Sequence, residues 1–134
     1  MYGSLTAITI NGFGGNDTIT SSFDQATIFA GDGNDRVTVI GSGESVVFGG
    51  PGDDIIKGGT GRDSINGGSG NDIIFGRSAD DLLEGASGDD IMFGGPGDDS
   101  LNGGLGFDTL DGGDGTDTAT DSGEVEISIE KHDC

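Results

Sequence analysis

A nine-residue repeat constrains the fold of this chain more than any other feature of its sequence. Residues 58–75 read GGTGRDSINGGSGNDIIF and split without remainder into two units, which share Gly at places one, two and four, Asp at place six and Ile at place eight. The frame does not slip between residues 49 and 120, so eight such units follow one another. A short fixed period of this kind predicts a stacked architecture in which each unit packs only on its neighbours.

Four weaker units precede the regular ones, beginning at Gly12, if one extra residue is placed at Phe48. Place eight stays aliphatic in all of these units even where the glycines are lost. Its residues are Ile19, Ile28, Val37, Val46, Ile56, Ile65, Ile74, Leu83, Met92, Leu101, Leu110 and Ala119, and Ile10 lies nine residues before the first. We therefore expect one inward-facing apolar side chain per unit.

The pattern predicts that each unit forms a glycine-rich turn of six residues followed by a strand of three, because a Cβ would obstruct positive φ and close backbone approach in the turn. Two units then make one coil of 18 residues. The predicted fold is all-β, a right-handed parallel β-roll (β-solenoid) of about six 18-residue coils, with short capping strands at both ends. The segments LTAITI and GEVEISIE are the candidates for these caps.

The whole chain, residues 1–134, is predicted to form a single β-roll domain. Residues 1–11 hold the N-terminal cap strand and residues 12–48 the degenerate repeats. Residues 49–120 hold the regular repeats, and residues 121–134 the C-terminal cap strand and tail.

Stacking places the place-six residues of alternate units above one another in two columns. The first column is Asp17, Asp35, Asp54, Asp72, Asp90 and Asp108; the second is Ala26, Glu44, Asp63, Asp81, Asp99 and Asp117. Carboxylates at strand spacing repel one another, so the columns predict cations between neighbouring turns. Adjacent Asp pairs allow at most eight sites, five in the first column and three in the second.

Calcium fits this demand best, since it accepts six to eight oxygen ligands and mixes carboxylates with backbone carbonyls. Magnesium requires a tighter octahedron, and zinc prefers His or Cys, of which the chain has only His132 and Cys134. The formal net charge of -20 argues against nucleic acid and anionic membranes as partners. The sequence has no stretch of 18 apolar residues, so membrane insertion is not predicted.

The units resemble the GGxGxDxUx nonapeptides of the RTX (repeats-in-toxin), haemolysin-type calcium-binding family, over about residues 12–120. The resemblance implies several Ca²⁺ ions held by place-six Asp side chains and turn carbonyls, an extracellular location and type I secretion. The implied metal-binding residues are Asp17, Asp35, Asp54, Asp63, Asp72, Asp81, Asp90, Asp99, Asp108 and Asp117, with Gly49, Gly50, Gly52, Gly58, Gly59, Gly61, Gly67, Gly68, Gly70, Gly85, Gly88, Gly94, Gly95, Gly97, Gly103, Gly104, Gly106, Gly112, Gly113 and Gly115. Arg77 and Ala79 replace two glycines, which makes Asp81 the weakest of the regular matches.

The predicted function is a calcium-binding module of a secreted bacterial protein that folds when Ca²⁺ binds. No enzymatic activity is predicted, because the chain has neither HExxH nor GxSxG and no His positioned as a base for a nucleophile. Two alternatives are a non-catalytic accessory domain of a larger exported hydrolase or protease, and an adhesin or surface-layer spacer. A flexible acidic linker is disfavoured, since a linker has no reason to keep an aliphatic residue in a nine-residue frame.

The outward places seven and nine of one predicted sheet are apolar in three successive units, apart from Lys57. They hold Ile55, Ile73, Phe75, Ile91 and Phe93, whereas the other sheet carries mainly polar residues there. Exposed apolar patches often mark contact surfaces, so we predict self-association or docking of a neighbouring domain on this face. The alternative is that the ladder of side chains only shields its own sheet.

Overall fold

The structure is a computed structural model that describes residues 7–122 and 126–128. Parts of the predicted cap segments LTAITI and GEVEISIE, and all of His132 and Cys134, lie outside these residues. Within them the chain forms fourteen strands and no helix. The strands are β1 (Ala7–Asn11), β2 (Thr18–Ser21), β3 (Gln25–Phe29), β4 (Arg36–Val39), β5 (Val46–Pro51), β6 (Ile55–Lys57), β7 (Ser64–Ser69), β8 (Ile73–Phe75), β9 (Leu82–Ser87), β10 (Ile91–Phe93), β11 (Ser100–Leu105), β12 (Thr109–Asp111), β13 (Thr118–Thr120) and β14 (Glu126–Ser128).

Successive strands alternate between two parallel sheets. The odd sheet has the order β1-β3-β5-β7-β9-β11-β13 and the even sheet the order β14-β12-β10-β8-β6-β4-β2. Every strand pairs in parallel with the strand one coil away, as in the pairs of Ile74 with Ile56 and with Met92. The predicted parallel β-solenoid of about six coils is therefore confirmed, with β1 and β14 as the first and last strands of their sheets.

The core is a single file of aliphatic side chains from each sheet. Most of the predicted place-eight residues are fully buried, for example Ile28, Ile74 and Leu110 at 0% exposure. Ile8, Ile10 and Ala119 are only partly buried and pack against this file at the two ends of the solenoid. Alternation along the short strands explains the pattern, because the central residue points inward and its two neighbours point outward.

The predicted frame is wrong in one of the degenerate units. Ile28 pairs with Val47 in the odd sheet and Val47 is fully buried, while Val46 is half-buried, so Val47 and not Val46 occupies place eight. For the same reason Ser45, not Glu44, lies in the second column of place-six residues. The extra residue belongs near residue 39 rather than at Phe48, since Val39 is buried and the adjacent Ile40 is 60% exposed. Two adjacent valines offer the same aliphatic signal, so the sequence pattern alone could not choose between them.

Candidate metal-binding turns

Six-residue turns connect the two sheets along two edges of the solenoid. The first edge carries the turns 12–17, 30–35, 49–54, 67–72, 85–90 and 103–108, and the second edge carries the turns that end at Ala26, Ser45, Asp63, Asp81, Asp99 and Asp117. Along each edge the turns stack directly, because the strands that they connect are paired in register. The place-six residues of neighbouring coils therefore face one another.

The place-six carboxylates are buried between the coils. Asp63, Asp72 and Asp90 are 0% exposed, and the other place-six aspartates are nearly as buried except Asp17 and Asp117, which lie at the ends of their columns and are half-buried. Burial of so many carboxylates is costly unless each finds a partner. The partners differ for the two oxygens of each side chain.

One carboxylate oxygen of each place-six aspartate after Asp17 links neighbouring coils. Oδ1 of Asp54 accepts a hydrogen bond from the backbone N–H of Asp35 at 2.8 Å, and Oδ1 of Asp72 accepts one from Asp54 at 2.8 Å. On the second edge, Oδ1 of Asp99 accepts one from Asp81 in the same way. These side chains therefore extend the hydrogen-bonding ladder of the sheets through the turns.

The second oxygen of nearly all these aspartates is buried without a hydrogen-bond donor. This is true of Oδ2 in Asp17, Asp35, Asp54, Asp72, Asp81, Asp90, Asp99, Asp108 and Asp117. A buried carboxylate oxygen that lacks a donor is strongly unfavourable. Nine repeated instances of such an atom indicate a positively charged partner rather than an accident of packing.

The protonation equilibria of these groups reflect the same environment. The pKa of Asp72 and of Asp81 is raised to about 7, chiefly by burial and also by neighbouring aspartates, against the lowering effect of a backbone hydrogen bond. Burial likewise raises the pKa of Asp54, Asp90 and Asp99 to about 6. The cost of holding these carboxylates ionised is thus large in the absence of a cation.

The turn backbone explains why three glycines precede the aspartate. Gly50 and Gly52 have φ angles of 99° and 131°, and a Cβ on either would overlap the carbonyl oxygen of the equivalent residue one coil earlier. A Cβ on Gly49 would overlap Oδ2 of Asp54 in the same turn. Places two and four therefore direct their carbonyl oxygens toward the next coil, while place one leaves room for the carboxylate.

Nine of the twelve turns have this conformation, with positive φ at places two and four. They are the six turns of the first edge and the turns 76–81, 94–99 and 112–117 of the second edge. Arg77 and Ala79 adopt it at φ of 84° and 78° although neither is glycine. The same nine turns contain the nine carboxylates whose Oδ2 has no donor.

A second ladder at place five was not foreseen from the sequence. Oδ1 of Asn34 accepts a hydrogen bond from the backbone N–H of Asp53 at 2.9 Å, and Oδ1 of Asp53 accepts one from Asn71 at 2.8 Å. These side chains point to the following coil, whereas the place-six aspartates point to the preceding one. The recurrence of Asn or Asp at place five along the first edge was the available signal.

The oxygen atoms gathered in the turns fit a calcium ion. Unpaired carboxylate oxygens and turn carbonyls are hard ligands of the kind that Ca²⁺ binds. Within residues 7–122 and 126–128, no three acidic, His or Cys side chains come together as a metal-binding group. The side chains thus offer carboxylates singly or in pairs, with backbone oxygens beside them.

Comparison with known proteins identifies the same repeat. A model of the RTX calcium-binding nonapeptide repeat matches the chain in four copies, at residues 9–25, 48–83, 67–101 and 84–119. These ranges cover well over half of the chain. No curated protein sequence matches it. The part of the chain that the structure describes has no helix able to cross a membrane.

Proposed function

Because the chain belongs to the RTX calcium-binding nonapeptide repeat family, we propose that it is a module whose stacked turns bind several Ca²⁺ ions and which folds as they bind. The observation that carries this proposal is the set of nine buried Oδ2 atoms without donors, each inside a turn with carbonyls directed toward its neighbour. A divalent cation supplies the positive charge that these oxygens lack. Asp54, Asp72 and Asp90, in the middle of the first edge, are the strongest candidate ligands.

Coupling of calcium binding to folding follows from the cost of the metal-free turns. The folded chain brings carboxylates of neighbouring coils together, so without a cation the charge of -20 opposes compaction. At free calcium of ten times its dissociation constant, each independent site adds roughly 1.4 kcal/mol to stability. Several sites together approach the whole stability of an ordinary domain, about 5–15 kcal/mol, so binding and folding become one event.

We further propose that the module is extracellular and not catalytic. Proteins of this repeat family are typically secreted, and their repeat domains are generally structural. Ion binding at the low affinities typical of extracellular calcium modules would keep the chain unfolded where calcium is scarce and fold it where calcium is abundant. Type I secretion, and membership of a longer exported hydrolase, protease or adhesin, are consistent with such a switch.

Calcium binding by Asp72→Asn, measured by isothermal titration calorimetry, tests the proposal. Asp72 borders two steps of the first edge, so the variant should lose up to two ions and require more calcium to fold. Asp53→Asn is the matched control, because it makes the same charge change on an exposed residue and keeps an Oδ1 acceptor for Asn71. If the two variants bind equal numbers of ions and fold at equal calcium concentrations, the place-six aspartates are not calcium ligands.

A further inference from the structure

The turn 58–63 matches the repeat pattern fully but does not have the conformation of the other aspartate turns. Its sequence is GGTGRD, yet neither Gly59 nor Gly61 has φ in the left-handed range. The next turn on the same edge, 76–81, has Arg77 and Ala79 at these places and still adopts left-handed φ at both. The conformation of turn 58–63 therefore does not follow from its own residues.

The carboxylate of Asp63 is satisfied by backbone donors at both oxygens. Its Oδ1 accepts a hydrogen bond from Ser45 N–H at 3.0 Å, and its Oδ2 accepts one from Gly59 N–H at 2.7 Å. The other nine place-six aspartates leave Oδ2 without a donor. Asp63 therefore lacks the feature on which the calcium proposal rests, an Oδ2 atom without a hydrogen-bond donor.

Two arginines also place positive charge at this step of the second edge. Arg77 donates from Nη1 to the carbonyl oxygen of Gly58 at 3.5 Å. Arg62, at place five beside Asp63, donates from Nη2 to Oδ2 of Asp80 at 3.4 Å. Both contacts are long and Arg62 is exposed, so neither adds much stability. Their positive charge raises the electrostatic potential at this step, which disfavours a bound cation.

Turn 58–63 also contacts an irregular turn in the coil before it. Turn 58–63 stacks on the turn that ends at Ser45, which contains the extra residue near Val39 and has no place-six carboxylate. The backbone N–H of Thr60 donates to the carbonyl of Gly41 at 3.3 Å, and a Cβ on Gly59 would overlap the same carbonyl. Turn 58–63 is the third of three successive turns on the second edge, after those that end at Ala26 and Ser45, that lack left-handed φ at places two and four.

We infer that turn 58–63 is locked by the protein's own donors and that the step between Asp63 and Asp81 takes no calcium ion. This inference rests on the proposed function and refines it. The second edge then has two calcium steps, Asp81 with Asp99 and Asp99 with Asp117, and the chain binds at most seven ions rather than eight.

Native mass spectrometry at saturating calcium tests the inference through three proteins. The parent chain should bind no more than seven ions, and Asp63→Asn should bind the same number as the parent. Asp99→Asn, the same substitution in the same column, should lose up to two. An eighth ion in the parent, or the loss of one ion in Asp63→Asn, would overturn the inference.

A second measurement covers the case in which Asp63→Asn does not fold, since its amide cannot accept the Gly59 N–H at the Oδ2 position. In the parent chain, the side-chain carboxyl ¹³C resonances of Asp63 and Asp99 are compared as the last calcium ions bind. Asp99 should shift while Asp63 does not; equal shifts of the two would contradict the inference. A parent chain that binds no calcium at all would instead refute the proposed function and leave the locked turn untouched.

Discussion

The carboxylate of Asp72 is poorly accommodated in a metal-free chain. It is fully buried, one oxygen has no donor, and its pKa is raised from 3.8 to about 7, first by burial and then by its charged neighbours. Either a proton or a cation relieves this situation. Protons and calcium should therefore compete for the same residues.

Acidification should stabilise the metal-free fold. Because the folded-state pKa of Asp72 and Asp81 lies near 7 and that of Asp54, Asp90 and Asp99 near 6, the folded chain binds more protons than the unfolded chain between about pH 4 and 7. Stability without calcium should fall as pH rises through this window. Circular dichroism in calcium-free buffer should show more β structure at pH 5 than at pH 8.

With calcium present the pH dependence reverses, since the ligands must be deprotonated to bind the ion. The calcium midpoint for folding should be higher at pH 5.5 than at pH 8. A midpoint that does not change with pH would mean that these aspartates are not the ligands.

The place-one glycine makes room for the carboxylate, and Gly67→Ala tests that role. A Cβ on Gly67 would overlap the carboxylate of Asp72, whereas the nearest atom to a Cβ on Gly14 would be the carbonyl oxygen of Asp32 at 4.0 Å. We expect Gly67→Ala to cost about 1–3 kcal/mol in unfolding free energy at saturating calcium. Gly14→Ala should cost less than about 0.5 kcal/mol. Equal losses in denaturant titrations would argue against a packing role for place one.

At the scale of the strand, the frame of the degenerate unit is open to a direct test. Val47 is fully buried and Val46 half-buried in β5. Val47→Ala should lower the unfolding free energy by about 2 kcal/mol through lost burial and a cavity. Val46→Ala should lower it by less than half as much. A larger loss of unfolding free energy for Val46→Ala than for Val47→Ala in denaturant titrations would show that Val46 is the core residue.

The predicted contact face lies on the even sheet. The rings of Phe75 and Phe93 stack with centroids 5.2 Å apart, and Ile91 and Phe93 remain more than a third exposed. If this face mediates self-association, the double variant Phe75→Ser, Phe93→Ser should sediment as a monomer under conditions where the calcium-loaded parent does not. A parent that is already monomeric would leave the aromatic ladder as a shield of its own sheet.

The sequence predicts the position of a residue in this fold well where that position depends on the type of the residue itself. Ile74 and Leu83 follow from the period alone, because an aliphatic residue every nine positions can only be core. The ladder of Asn34 and Asp53 was missed, since its function depends on a backbone donor in the next coil. The form of turn 58–63 was missed for a related reason. Its glycines permit the standard turn, and the hydrogen bonds that hold it in another form, such as that from Thr60 N–H to the Gly41 carbonyl, involve residues of a different coil.

At the scale of the whole molecule, the two edges are unequal. All six turns of the first edge have the regular conformation, whereas only the last three of the second edge do. Both edges therefore carry candidate calcium sites only in the C-terminal half of the solenoid. Calcium should stabilise that half more than the coils before residue 49, which rely on the aliphatic file and on side chains such as Ser45.

Far-UV circular dichroism during a calcium titration, with magnesium as the control, tests whether the chain folds as calcium binds. We expect little β structure in chelator at pH 8, and a cooperative transition to a β spectrum as calcium is added that magnesium does not produce. A β spectrum of full amplitude in chelator, unchanged by calcium, would contradict this expectation. The aliphatic core and the backbone ladders would then suffice for folding, and the buried aspartates would need another explanation.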